Sequence, residues 1–127
     1  MAVRWQPLTC VEELAQFSLL HRSADNLDWE KWLVANDGKP LHTYRHIPFN
    51  LDELALDAAA RGLGVAMTDL TLAAESIERG ALMIPFGKPL KTRGVYVLRL
   101  QPAAMAHPAF ALIMQWLRDD LCTPNHR

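Results

Sequence analysis

The sequence predicts an α/β fold, a sheet with helices on both faces. Three observations carry this expectation. Short apolar runs alternate with amphipathic helical patterns along nearly the whole chain. The connections between them are short. Capping residues and glycine stops punctuate the helical patterns.

Length and composition agree. The chain has 127 residues, 50% of them hydrophobic and 21% charged, an ordinary balance for one domain that buries a core without disulfides or metal. Net charge is −1 with histidine neutral, and no basic run stands out. Nucleic-acid binding needs clustered cations that release counterions from phosphates, so the charge argues against DNA contact by this piece itself. Cys10 and Cys122 form neither a zinc spacing nor a CxxC motif and read as reduced thiols. Residues 1–9 carry Arg4, Gln6 and Pro7 but no apolar signal-peptide core, and no apolar run reaches membrane-spanning length. A cytoplasmic protein without a membrane partner is expected.

Thr9 and Glu12 have capping-box spacing, which predicts a short helix over residues 11–17. Residues 18–21 read as a short buried strand and 22–26 as a polar turn. Residues 27–34 read as a helix with Trp29, Trp32 and Leu33 on its apolar stripe and Gly38 beyond its end. Residues 42–49 read as a strand. Asn50 and Glu53 have the spacing to cap the next helix. Its apolar face is Leu51, Leu54, Ala55, Ala58 and Ala59, mostly small, so it can lie close to a sheet. Gly62 suits its left-handed end, and residues 64–68 make a short strand.

A second amphipathic helix is predicted over residues 69–79, with Leu70, Ala73, Ala74 and Ile77 on one face and Gly80 closing it. Residues 81–85 read as a strand, 87–92 as a loop, and 94–101 as the clearest strand. The last helix starts at His107-Pro108 and carries Phe110, Ile113, Met114, Leu117 and Leu121 on its stripe. Ala111, Leu112 and Trp116 lie off that stripe, which suggests a partner surface.

The segment AAARGLGVAM over residues 58–67 resembles the helix-to-strand signature of LysR-type effector domains. The elements that follow also match: a helix over residues 70–78, Gly80, an apolar run over residues 81–84, and Pro85-Phe86. After these come Gly94-Val95-Tyr96-Val97-Leu98, Pro108 and Trp116-Leu117. Upstream, Leu19-Leu20-His21 and Trp29-Glu30-Lys31-Trp32-Leu33 resemble the subgroup that includes the glycine-cleavage and β-lactamase regulators. The resemblance runs from Pro7 to Leu121 and rests on order and spacing rather than on one motif.

The resemblance implies a type 2 periplasmic-binding-protein-like fold: two α/β lobes joined by crossing strands, with a small effector between them. Residues 18–86 would be the complete second lobe. Residues 94–121 would be a crossing strand and the terminal helix of the first lobe. The N-terminal DNA-binding domain would lie outside this chain, so DNA is a partner only through that domain.

The helix start at Asn50, Leu51 and Asp52 is the first candidate effector site. Free N–H groups and the helix dipole favour an anion there. Asp52 would repel a carboxylate and attract an amine instead; alternatively, Asn50 and Asp52 simply cap the helix. The resemblance places Tyr96 on the crossing strand, where its phenol could bond an effector, the alternative being an ordinary strand tyrosine. His21 follows a strand end, where open α/β sheets bind ligands, or is a surface histidine. Thr68, after the strand at 65–67, is a similar candidate. Trp29 and Trp32 read as core. His42 and His46 would share a strand face that could suit a metal, but no third ligand is evident, so neither metal nor cofactor is expected.

The sequence leaves three classes of function to compare. The first is a sensor that binds a small polar metabolite, amino-acid-like by subgroup resemblance, and passes the signal through homo-oligomer contacts. The second is a module that only associates with itself or with intact regulators. The third is an enzyme. The sequence has no GxSxG elbow, Walker loop, HExxH or dinucleotide fingerprint. Nothing in the spacing requires Asp52, Asp57 and His46 to meet. A non-catalytic sensor is the expectation.

Overall fold

Apolar residues alternate in small groups with helical patterns, and the chain answers with a parallel sheet between helices. A computed structural model describes residues 7–22, 27–87, 89–91 and 96–122. The chain divides into two compact units, Met1–Lys91 and Thr92–Arg127.

Among its described residues the first unit holds three parallel strands: β1 (Leu19–Arg22), β2 (His46–Phe49) and β3 (Val65–Ala66), in the order β2-β1-β3. Leu19 pairs with His46 on one side and Val65 on the other, and Arg22 pairs with Phe49. Helix α1 (Leu27–Ala35) connects β1 to β2, and α2 (Asp52–Ala60) connects β2 to β3. Helix α3 (Leu70–Glu78) follows β3.

The two-residue period of a strand sends Leu19 and His21 to one face of the sheet and Leu20 and Arg22 to the other. Two cores result. Leu19 packs with Trp29, Trp32 and Leu33 of α1 and with Val11, Leu14, Leu41 and Tyr44. Leu20 packs with Ala55, Ala58 and Ala59 of α2. Full burial of a side chain such as Leu33 stabilises by roughly 1.5–3 kcal/mol. The alanine face lets α2 sit close to the sheet.

Several expectations hold. Trp29 and Trp32 are buried and meet edge to face at 5.8 Å, and Trp32 meets Phe86 in the same way at 5.9 Å. Asp69, expected as the first residue of the next helix, is instead the N-cap of α3 and accepts from the Thr71 N–H at 2.7 Å. Gly62 and Gly80 take positive φ of 84° and 72° after α2 and α3.

Other elements differ from expectation. Residues Val11–Gln16 form a 3-10 helix, and it is Glu13 rather than Glu12 that accepts from the Thr9 N–H, at 2.7 Å. Asp37, not Gly38, takes the left-handed turn after α1, at φ 57°, which aspartate tolerates better than most residues. The start of the strand expected at 42 is a second 3-10 turn, Leu41–Thr43, which buries Leu41. Leu51, not Asn50, is the N-cap of α2, and it makes no side-chain cap bond. Leu51 and Leu54 are exposed, because the buried arc of α2 centres on its alanines.

Residues 81–85 form no strand. The N–H groups of Ala81 and Leu82 instead wrap back to the Ser76 carbonyl, and Pro85 accepts from the Leu8 N–H at 2.7 Å.

In the second unit, the described part of the strand expected at 94–101 forms no strand, and Tyr96, Val97 and Leu98 are exposed. An apolar run becomes a strand only when its backbone finds a ladder. A short helix not foreseen, α4 (Pro102–Met105), is followed by α5 (Phe110–Cys122). His107 Nδ1 accepts from the Ala109 N–H at 3.1 Å, so Pro108 lies in the turn before α5 rather than inside it.

Candidate functional site

Parallel strands deliver their C-terminal ends to one edge of a sheet, and loops beyond that edge can reach a common ligand. Arg22 ends β1, Asn50 and Leu51 follow β2, and Thr68 follows β3. Strand parity puts Arg22 on the face that α2 covers. Its guanidinium lies 3.8 Å from the Asp52 carboxylate in the first turn of that helix. The side chains are 47% and 27% exposed, so water and salt screen the pair. Such pairs are worth about 0–1 kcal/mol, and parting this one costs little. The Asp52 charge also sits at the positive end of the α2 dipole.

Beyond β3, the buried Thr68 Oγ1 has no hydrogen-bond partner among the described residues. A buried hydroxyl without a partner costs about 1–3 kcal/mol, an outlay that a ligand's polar atom would recover. Asn50 is exposed, as is Leu51.

His21 is elsewhere. It is 3% exposed and lies on the α1 face of the sheet. Its Nδ1 lies 3.0 Å from the Arg22 carbonyl and its Nε2 lies 3.2 Å from His46 Nδ1. A carbonyl only accepts, so His21 carries its proton on Nδ1. With both rings neutral, Nε2 is the acceptor, His46 Nδ1–H donates to it, and the lone pair of His46 is left on Nε2. Both nitrogens of His21 are thus engaged within the protein. His21 is neither the surface histidine nor the open strand-end residue that the sequence suggested.

The C-terminal edge therefore gathers Asn50, Leu51, Asp52 and Thr68. His21 comes one residue before that edge but turns under α1. Tyr96 belongs to the second unit and is 73% exposed. Sequence reasoning missed Arg22, which it placed in a turn, and the role of His46 as partner of His21. A cation at the end of β1, facing a carboxylate in the first turn of α2, was the available signal for the first. Among the described residues, no group of three or more His, Cys, Asp or Glu side chains could hold a metal ion. No described helix is long and apolar enough to cross a membrane.

The family model described as the LysR substrate binding domain matches residues 3–122. The glycine cleavage system transcriptional activator of Escherichia coli K12 is 28% identical over 112 residues, which cover 88% of this chain and 36% of the relative. The HTH-type transcriptional activator AmpR of Providencia stuartii is 30% identical over 110 residues, 87% of this chain and 37% of the relative. Its counterpart in Enterobacter cloacae is 26% identical over 110 residues, 86% of this chain and 37% of the relative. The chain thus spans little more than a third of the length of these curated relatives. No solved structure matches it significantly.

Proposed function

Because the chain belongs to the LysR substrate binding domain family, we propose that it is the effector-sensing part of a bacterial, cytoplasmic transcription regulator. Its ligand is a small polar metabolite with an amino group and a carboxylate. The observation that carries this reading is the weak Arg22–Asp52 pair at the start of α2. A ligand bearing both charges can replace that pair on equal terms, its ammonium on Asp52 and its carboxylate on Arg22. Thr68 Oγ1, unpartnered among the described residues, supplies a further polar contact. Asn50 and Leu51 border the same helix start, while the part of Tyr96 rests on the family resemblance and that of His21 on its place near the end of β1.

The site is proposed to bind without turnover. Binding acts on the parent regulator through contacts between copies, and it does so only by preferring one state of the assembly. Couplings of this kind are typically about 1–3 kcal/mol.

Calorimetric titration of the full chain with an amino-acid pool, followed by its single members, tests the reading. Asp52→Asn should weaken the responding ligand about tenfold, the equivalent of about 1.4 kcal/mol, while unfolding shifts by less than about 1 kcal/mol. Unchanged affinity in Asp52→Asn would remove this site from the proposal.

A second reading is association without sensing. Val97, Leu112 and Trp116 of the second unit are 77%, 71% and 61% exposed, more apolar surface than a solitary helix and its preceding segment need. Light scattering on the eluting chain, with and without amino acids, separates the two. A dimer indifferent to every ligand favours association alone.

A further inference from the structure

We infer that the hollow where the second half of α1 meets the start of β2 is a second ligand site, for a small zwitterion with an aliphatic side chain. The hollow is built entirely from the first unit and rests on that unit's own residues, not on the reading proposed above. It holds about 370 Å³ and is lined by Glu30, Lys39, His42 and His46 around an apolar wall that includes Leu33 and Val34. Small-molecule sites start near 300 Å³ and combine an apolar lining with a few polar groups.

The polar groups are complementary to a zwitterion. Glu30 offers a carboxylate to an ammonium, and Lys39 offers an ammonium to a carboxylate. Formal charge across the two cancels, so a simple anion or cation matches only half of the lining. His46 supplies the directional element. Its Nδ1–H is committed to His21, and the Arg22 carbonyl sets the tautomer of that partner. With the ring neutral, His46 Nε2 is the acceptor, on an exposed ring that lines the hollow. An ammonium that donates to Nε2 and to Glu30 satisfies both. Val34, among the lining residues, is 79% exposed, and an aliphatic ligand would cover it.

This place is distinct from the edge at Asp52. His46 pairs with Leu19 at the start of the strands, whereas Arg22 pairs with Phe49 at their ends. Three residues of strand separate the two levels, roughly 10 Å at the usual rise.

Amide-resolved NMR titration of the full chain tests the inference, with L-valine, isobutylamine and isovalerate at equal concentration as probes. The last two are valine without its carboxylate and without its ammonium. The expected result is saturable shifts at Lys39, His42 and His46 with valine and responses at least tenfold weaker with either single-charge probe. Glu30→Gln and Lys39→Met, both at exposed positions, should each weaken valine several-fold with the spectrum otherwise retained. Equal response to isobutylamine or isovalerate, or no saturable shift near His46, overturns the inference. Shifts confined to Asp52 and Thr68 overturn it too, while leaving the effector reading standing.

Discussion

His21 Nε2 and His46 Nδ1 lie 3.2 Å apart across β1 and β2, and a backbone carbonyl decides which of them donates. The Arg22 carbonyl holds the His21 proton on Nδ1, so in the neutral pair His46 donates and its own Nε2 accepts. Long-range nitrogen–proton correlation spectra should show the neutral form of both rings as the Nδ1–H tautomer. An Nε2–H form of His21 would break this arrangement. Replacing His21 by leucine keeps most of the volume but leaves two hydrogen bonds unmade, and should cost about 1–3 kcal/mol in urea unfolding.

Gly64 has no room for a side chain. A methyl group there would lie 2.0 Å from the Ser18 carbonyl oxygen and 3.2 Å from Leu20 Cδ2. Ser18 is fixed by the bond it accepts from the Val65 N–H, so relief requires moving β1 away from β3. Gly64→Ala should therefore destabilise by about 3 kcal/mol, the upper end for overpacking. Gly80→Ala is the comparison. Its methyl would meet nothing, and the cost is only that of holding alanine at φ 72°, about 1–2 kcal/mol. Denaturation midpoints of the two variants should fall in that order.

The contrast between these glycines also marks what was legible in the sequence. Gly80 directly follows an amphipathic helical pattern, so its left-handed turn could be read from local chemistry. The same holds for Gly62, and for Trp29 and Trp32, whose spacing alone puts them on one helix face. Residues 81–85 and 96–100 could not be read in this way. Both are apolar runs with strand-like composition, and a strand exists only where another backbone offers a ladder. The site divided along the same line. Asp52 was visible because a carboxylate in a first helical turn is local chemistry. The Arg22 partnership and the burial of His21 follow from strand parity, which depends on where β1 ends and which face α1 covers.

Trp29 joins α1 to the sheet through its indole, which donates to the Leu20 carbonyl at 3.1 Å. That carbonyl also accepts from the Met67 N–H at 3.1 Å, so it keeps one partner when the indole is removed. Trp29→Phe should accordingly cost about 1–2 kcal/mol, one hydrogen bond plus lost volume, and not the larger penalty of an orphaned buried acceptor. A chemical-denaturation loss beyond about 3 kcal/mol would mean that the edge-to-face contact with Trp32 carries more than the usual 0.5–1.5 kcal/mol of an aromatic pair.

Glu12 supplies the one pH dependence whose sign can be worked out among the described groups. Its carboxyl is held below the ordinary value of 4.5, first by its own backbone N–H, then by the Cys10 side chain and the charge of Lys39. A folded-state value below the unfolded one means that folding favours the ionised form. The resulting stabilisation is complete above the unfolded value and is lost as pH falls through the lowered folded one. Glu12→Gln should therefore lower the urea midpoint slightly at neutral pH, and the gap to the parent chain should close in acid. Glu12 is fully exposed, so screening keeps the effect small. Lys39→Met should remove less of it than Glu12→Gln does, because the lysine charge is a lesser cause than the backbone N–H. A gap that widened as pH fell would reverse the assignment.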